Sequence, residues 1–395
     1  MTETRSKKSA IAIAAFATLS VAITLGLSAC GSDSSSSTSS ADTTSQAEGG
    51  TGGEKDTSSG AVAAPLTEPK PGIGVSTPLK EVPPTGLTVG WLECALPGCK
   101  AFRSGIQTAS ERLGWNVETL VYKSGEPGPA MQQAVNKKVD FIAITSESAA
   151  NFEQQLQAAN AAGIPVITGD SPDVPEPSKG LVAVLNDASA FESEGRALAS
   201  WILDDSGGED VHIGYVTIEA IPILGYGREP LEPTLEEGGC TDCTVETLSV
   251  TPEELGAGQL PAKLVSFLQT HPEVNYLDFA FPDLIVGVSE TLEGAGITDV
   301  KLVGQTMGES EAAVEGLETG AVSAMVVTPQ TYQMWLTVDA FARLSVGMPI
   351  DVVQDATILP SFVAAGPSSA KYFEDGARWP GPPGFEAEFE QLWGK

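Results

Sequence analysis

Five cysteines are the residues of this chain whose type and spacing come closest to defined chemistry. Cys94 and Cys99 flank Ala-Leu-Pro-Gly, a turn sequence, and Cys240 and Cys243 flank Thr-Asp directly after Gly238-Gly239. A Cys-x-x-Cys pair can be a structural disulfide, a dithiol redox centre or half of a zinc site. This one follows Glu236 and Glu237, with no nearby base to lower a thiol pKa and no second Cys or His pair close in sequence. The four cysteines allow three pairings, of which the two local ones are favoured. The two histidines add little: His212 lies in an apolar run, His271 precedes Pro272, and neither accompanies a nucleophile in a recognisable setting. There is no Gly-x-Ser-x-Gly elbow, no Walker loop, no dinucleotide-binding glycine fingerprint and no EF-hand spacing. The expectation is a chain that is not an enzyme and needs neither a cofactor nor a metal.

The fifth cysteine, Cys30, stands in a different context. Arg5, Lys7 and Lys8 precede an apolar run from Ala10 to Leu27, which ends in Leu27-Ser28-Ala29-Cys30-Gly31. The pattern has the basic start and apolar centre of an export signal, and its ending resembles that of bacterial lipoproteins. The resemblance implies a signal peptide over residues 1–29, cleavage before Cys30 and a lipid on its thiol. The remainder would then be extracytoplasmic, anchored by that lipid to the outer face of the cell membrane. An uncleaved membrane anchor is the alternative, since the run is long enough to span. An oxidising exterior favours disulfides for Cys94, Cys99, Cys240 and Cys243.

The formal net charge is −31 and moves to −33 once residues 1–29, with their three basic residues and Glu3, are removed. So acidic a surface repels nucleic acid and anionic headgroups, which excludes both as partners beyond the lipid anchor itself. Residues 30–85 are dominated by Ser, Thr, Gly, Asp and Glu and then by prolines, with almost nothing apolar to bury, so a disordered linker is expected there. About 55 residues of such coil would reach roughly 40 Å.

From Leu87 the texture changes. Strand-like runs at 87–92, 117–122, 139–144 and 164–168 alternate with helical stretches at 102–113, 130–138 and 148–162. The alternation recurs from Leu181, with strands at 181–185, 211–217, 244–250, 274–281, 301–304, 322–327 and 351–353 and long helices at 189–203 and 332–346. Strands alternating with helices mean parallel sheets covered on both faces. About 310 structured residues exceed one ordinary domain, so two α/β lobes are expected.

The order of motifs resembles the type I periplasmic solute-binding proteins, with the ribose and galactose binders the most similar group. Residues 159–170 carry a helix end, Gly163-Ile164-Pro165-Val166-Ile167 and Asp170. Val184-Leu185-Asn186-Asp187 and then Gly195-Arg196-Ala197 look like the first passage between lobes. His271-Pro272-Glu273-Val274, Phe281-Pro282-Asp283 and Val303-Gly304-Gln305-Thr306 resemble later segments of the family. The resemblance covers about residues 87–365. It implies two doubly wound parallel-sheet lobes joined by three hinge crossings, near Asn186, Thr328 and Ala356. Lobe one would be 87–186 plus 329–355, lobe two 187–328 plus 357–366, and residues 367–395 an aromatic-anchored tail.

The same resemblance implies a solute held between the lobes, at the carboxyl ends of the strands. The candidate ligand residues are Glu93, Leu96, Asp170 and Ser171 from lobe one. Lobe two offers the loop 221–225, Tyr226, Arg228, Asp283, Gln305 and Thr306, with Thr328 and Gln330 at the second crossing. Carboxylates and amides there would pair with hydroxyls, and a ring would stack on an apolar sugar face. Each has a plainer role open to it: Asp170 ending a turn, Asp283 capping a helix, Arg228 in a surface ion pair, Tyr226 and Gln305 at the core edge, and Glu93 satisfying backbone groups. Departures from the ribose-type pattern are clear. Leu96, Gly98 and Cys99 stand where the family carries Asn and Phe, Ser171 replaces Arg, Pro282 replaces Asn and Thr306 replaces Asp. A simple aldose fits this set less well than a modified sugar or another small cyclic solute. The expected function is the solute-binding component of an ABC importer, a monomer whose partners are the solute and a membrane permease. The alternatives are a sensory receptor signalling to a membrane kinase and, less favoured, a thiol-redox or hydrolytic enzyme.

Overall fold

A computed structural model describes residues 66–123, 125–208, 210–354, 359–373 and 378–395. The export signal, Cys30 and the third crossing near Ala356 lie outside the described residues.

Lobe one begins with β1 (Thr88–Cys94), α1 (Lys100–Leu113), β2 (Asn116–Tyr122), α2 (Gly128–Lys137), β3 (Phe141–Thr145), α3 (Glu153–Ala161), β4 (Val166–Gly169) and β5 (Leu181–Leu185). The five strands are all parallel, in the order β2-β1-β3-β4-β5. Side chains alternate across the sheet with a period of two. Val89, Trp91, Phe141 and Ala143 face α1, while Leu92, Ile142 and Ile144 face α2 and α3. Burial on both faces is why these strands are near-continuous apolar runs.

Lobe two contains α4 (Ala188–Ser206), β6 (His212–Ile218), α5 (Leu224–Arg228), α6 (Leu231–Glu237), β7 (Thr244–Val250), α7 (Pro252–Gly256), α8 (Leu260–Thr270), β8 (Tyr276–Phe279), α9 (Val288–Gly294), β9 (Lys301–Gly304), α10 (Glu311–Thr319) and β10 (Val322–Val327). The chain then returns to lobe one as α11 (Gln330–Ser345), which packs along α1, and comes back to lobe two as β11 (Phe362–Ala365). The second sheet runs β11-β10-β9-β8-β6-β7, parallel except for β11. The first crossing is sharply made: Asp187 caps α4, accepting from the amides of Ser189 at 3.0 Å and Ala190 at 3.3 Å.

The structure differs from the sequence reading at three places. Asp351–Val353 is a 3-10 turn rather than a strand, with Val352 exposed and no strand beside it, because sheet one ends at β5. The sixth strand of lobe two is β11 instead, paired antiparallel to β10. Residues 66–85, expected within the disordered linker, lie packed on the folded body. Ile73 and Val75 are buried in the lobe-one core, the Ile73 carbonyl accepts from the Tyr332 hydroxyl, and the Thr77 carbonyl accepts from Arg343 at 2.9 Å.

The tail supplies the reason. Its helix α12 (Phe385–Leu392) lays Phe385 and Phe389 on Tyr332 and Trp335 of α11, and Trp393 stacks on Trp335 at 5.4 Å. This aromatic layer creates the apolar surface that residues 73–75 cover. The Leu79 amide bonds the Leu392 carbonyl at 2.9 Å, fixing the two segments together.

Candidate functional site

An open α/β sheet leaves a crevice at the carboxyl ends of its strands, where successive connections go to opposite faces. In these sheets that point lies between β1 and β3 and between β6 and β8. The two lobes face each other across these ends. Ser146, Asp170 and Asn186, each directly after its strand, line one wall with Phe102 of α1. Ile221, Ile223, Leu224, Phe281 and Thr306 line the other with Phe191 of α4. Thr328, Gln330 and Gln333 close the hinge end. The space open to a water molecule is about 20 Å³, about what one water needs, so entry of a solute requires the lobes to part.

Four of these residues hold backbone conformations that L-residues avoid: Ser146 (φ 63°), Asp170 (φ 50°), Asn186 (φ 57°) and Thr306 (φ 54°). Such strain costs roughly 1 kcal/mol or more per residue and collects where side chains must be aimed for function. Here it accompanies the first residue beyond β3, β4 and β5 and the second beyond β9, all four of which line the cleft.

Asp170 organises the polar part. Its Oδ1 accepts from Asn186 Nδ2 at 2.5 Å and Gln333 Nε2 at 3.3 Å. Gln333 reaches it only because residue 169 is glycine, where an added Cβ would lie 2.6 Å from Gln333 Nε2. Asp170 Oδ2 and Asn186 Oδ1 are buried without a hydrogen-bond partner. Burial pushes the Asp170 carboxyl up to about 7, against the lowering effect of its two amide donors.

Two further carboxyls lie behind the lobe-two wall. Glu194 of α4 accepts from Thr328 Oγ1 at 2.5 Å and the Thr306 amide at 3.1 Å. Asp278 of β8 accepts from Gln305 Nε2 at 2.7 Å. Burial, with the charges of Asp170 and Asp278 added to it, raises Glu194 to about 8, and burial raises Asp278 to about 7. No Lys, Arg or His is among the described residues lining the cleft.

A latch joins the lobes at the cleft mouth. The Cys94–Cys99 disulfide, with Cα atoms 5.9 Å apart, pins the short turn Pro97–Cys99. That turn offers the Gly98 amide to Asp283 Oδ2 of lobe two at 3.1 Å. A Cβ on residue 98 would meet the Phe281 ring at 3.0 Å, so a larger residue there would have to move the ring by a few tenths of an ångström. Leu96 packs against the cores of both lobes. Burial raises the Asp283 pKa, opposed by the Gly98 hydrogen bond and by Lys100.

The structure places the sequence-derived candidates as follows. Asp170, Thr306, Thr328 and Gln330 line the cleft, and Leu96 and Asp283 join the lobes at its mouth. Glu93 is buried but turned to Arg103, whose Nε lies 2.5 Å away, and to Trp91 Nε1 at 3.2 Å. Ser171 donates to Asp173 at 2.7 Å and shapes the loop after β4. Tyr226 is half-buried against the lobe-two core. Arg228 points to β7, bonding Thr247 Oγ1 and the Val245 carbonyl, each at 2.8 Å. Gln305 is buried between Asp278 and the Gly227 carbonyl. Cleft residues not among the candidates are Phe102, Ser146, Asn186, Phe191, Phe281 and Gln333. Ser146 and Asn186 obey the same strand-end rule that marks Asp170. Gln333 carries no local signal, because a helix of the returning chain delivers it.

Cys240 and Cys243 are also bonded, with Cα atoms 5.6 Å apart. They precede β7 at its amino end, the end of the sheet opposite the cleft.

The periplasmic binding protein domain model matches residues 97–348. A comparison with curated proteins gives no match. Among solved structures, a periplasmic solute-binding protein of an ABC transporter from Actinobacillus succinogenes with bound D-allose is 17% identical with a TM-score of 0.61, over 72% of this chain and 100% of that one. A carbohydrate transporter protein from Acidothermus cellulolyticus in complex with myo-inositol is 17% identical with a TM-score of 0.60, over 74% and 100%. A glucose-galactose binding protein from Geobacillus stearothermophilus is 19% identical with a TM-score of 0.58, over 71% and 98%. At these identities the likeness is one of fold.

Proposed function

Since the chain belongs to the periplasmic binding protein family, whose members are extracytoplasmic binding proteins and not catalysts, we propose that it is the solute receptor of an ABC importer, held at the cell membrane by a lipid on Cys30. Its ligand is a small cyclic solute with polar groups, of the size of a sugar, seized between the lobes and handed to a membrane permease. One observation carries this reading: the buried, unpaired acceptors Asp170 Oδ2 and Asn186 Oδ1 line an inter-lobe cleft walled by phenylalanines. Solutes bound by similar folds, D-allose and myo-inositol among them, set the starting panel.

Closure around a solute must draw its free energy from contacts made with both lobes at once. A true ligand therefore raises the melting temperature, since it binds only the folded state. A thermal-shift screen of sugars, cyclitols and their substituted forms should give such a rise. Folded protein that answers to no small solute in a broad screen would overturn the receptor reading. Mass spectrometry of the amino-terminal peptide from its host should find a diacylglyceryl group on Cys30, and an unmodified thiol there would remove the tether.

A further inference from the structure

The cleft holds two buried acceptors without a partner and no cationic side chain among the described residues that line it. Asn186 Nδ2 and Gln333 Nε2 each give a hydrogen to Asp170 Oδ1, and Ser146 and Gln330 add further polar side chains to the lining. The Thr328 hydroxyl is spent on Glu194, and the Thr306 hydroxyl lies against the carbonyls of Ala280 at 3.2 Å and Gln305 at 2.7 Å. Of the cleft's buried side-chain atoms, the two without a partner among the described residues both accept: Asp170 Oδ2 and Asn186 Oδ1, in residues only 6% and 5% exposed. The two arginines nearest in sequence to the cleft loops are held elsewhere, Arg103 by Glu93 and Arg228 by β7. An anionic solute would meet the Asp170 carboxyl, with Glu194 and Asp278 behind the wall, and no cation among the described lining residues.

We infer that, within the receptor reading on which this rests, the cleft selects a small ring solute carrying a protonated amine, with Asp170 Oδ2 and Asn186 Oδ1 as the ammonium's acceptors. An ammonium has only donors, matching what the wall leaves unpaired. It gains a charge-assisted bond to Asp170, and Phe102, Phe191 and Phe281 add ring faces that attract cations. The apolar Ile221, Ile223 and Leu224 accommodate the carbon ring opposite.

The test uses matched pairs differing only in the amine: glucosamine against glucose, and cyclohexylamine against cyclohexanol. Calorimetric titration near neutral pH should show the amine member bound tighter by about tenfold or more, the scale of a hydrogen bond to a charged group. Asp170→Asn should erase that preference. Gln330→Lys leaves the Asp170 hydrogen bonds intact and should cost amine affinity by placing a like charge in the cleft. It serves as the second variant if Asp170→Asn does not fold. Equal or better binding of the neutral members overturns the amine inference while the receptor stands. Binding of neither series, together with silence across the broad solute screen, overturns both.

Discussion

Asp170, Glu194 and Asp278 are buried carboxyls, and none forms an ion pair among the described residues. Their ordinary values are 3.8, 4.5 and 3.8, and burial lifts them to about 7, 8 and 7 in the folded chain. Between those limits the folded protein holds protons that the unfolded chain releases. Stability is therefore greatest at the acidic side of the window and declines as pH rises through the folded values. Denaturation midpoints in urea should fall from about pH 5 to about pH 8, at constant ionic strength, and level off above. Asp278→Asn, which spares the cleft wall, should flatten part of that slope, whereas an unchanged slope would show that Asp278 is ionised when folded. The same residues mark how far sequence reasoning reached into the site. Asp170 was visible because it follows an apolar run and a strand-end rule applies. Gln305 obeyed the same rule, yet it turns inward to Asp278, and Arg228, at the end of α5, turns to β7. The rule fixes which loop a residue occupies but not the rotamer it takes, which depends on neighbours from β7 and β8 distant in sequence.

At the scale of elements, α11 is buried along nearly its whole length within lobe one. It buries Arg343 and Asp339 as an ion pair, 2.7 Å between Nε and Oδ2, at exposures of 1% and 0%. Arg343 also holds the Thr77 carbonyl, and Asp339 Oδ1 accepts from Trp393 Nε1 at 2.8 Å. One helix thus ties residues 66–85, an amino-terminal strap, and the carboxyl-terminal helix α12 to the lobe. Arg343→Met strands Asp339 in the core and should cost about 3–5 kcal/mol in chemical denaturation, while Arg343→Met with Asp339→Leu should recover much of it. A cost below about 1 kcal/mol would show that water reaches the pair. The alternation of β1 to β5 with α1 to α3 was legible because parallel strands buried on both faces leave unbroken apolar runs. The strap was not. Ile73 and Val75 are isolated apolar residues among glycines and prolines, with no period to detect. Their burial depends on α12, more than 300 residues further along. β11 was hidden for a related reason: four residues make a weak signal, and antiparallel pairing to β10 is a tertiary fact.

For the whole molecule, the lobes are linked by more than hinge crossings. The strap touches lobe two through Leu66, whose carbonyl accepts from the Val363 amide at 2.7 Å, before it enters the lobe-one core. The terminal segment packs Trp379 on Phe362 of lobe two, then α12 on lobe one. These two passages join the lobes in addition to the crossings, while at the mouth Asp283, Gly98 and Leu96 meet. Closure there is an equilibrium, and a ligand's apparent affinity scales with the fraction of molecules able to complete it. Asp283→Ala removes one hydrogen bond across the mouth, worth about 1 kcal/mol, and should weaken binding by about fivefold. In small-angle scattering the free variant should show a larger radius of gyration than the parent, and saturating solute should restore the parent value. The residue touches neither Asp170 nor Asn186, so the preference between matched ligands should be unchanged while both affinities fall together. That joint fall separates a gate from a contact. If Asp283→Ala altered the preference instead, Asp283 would belong to the site itself and the mouth would be part of the grip.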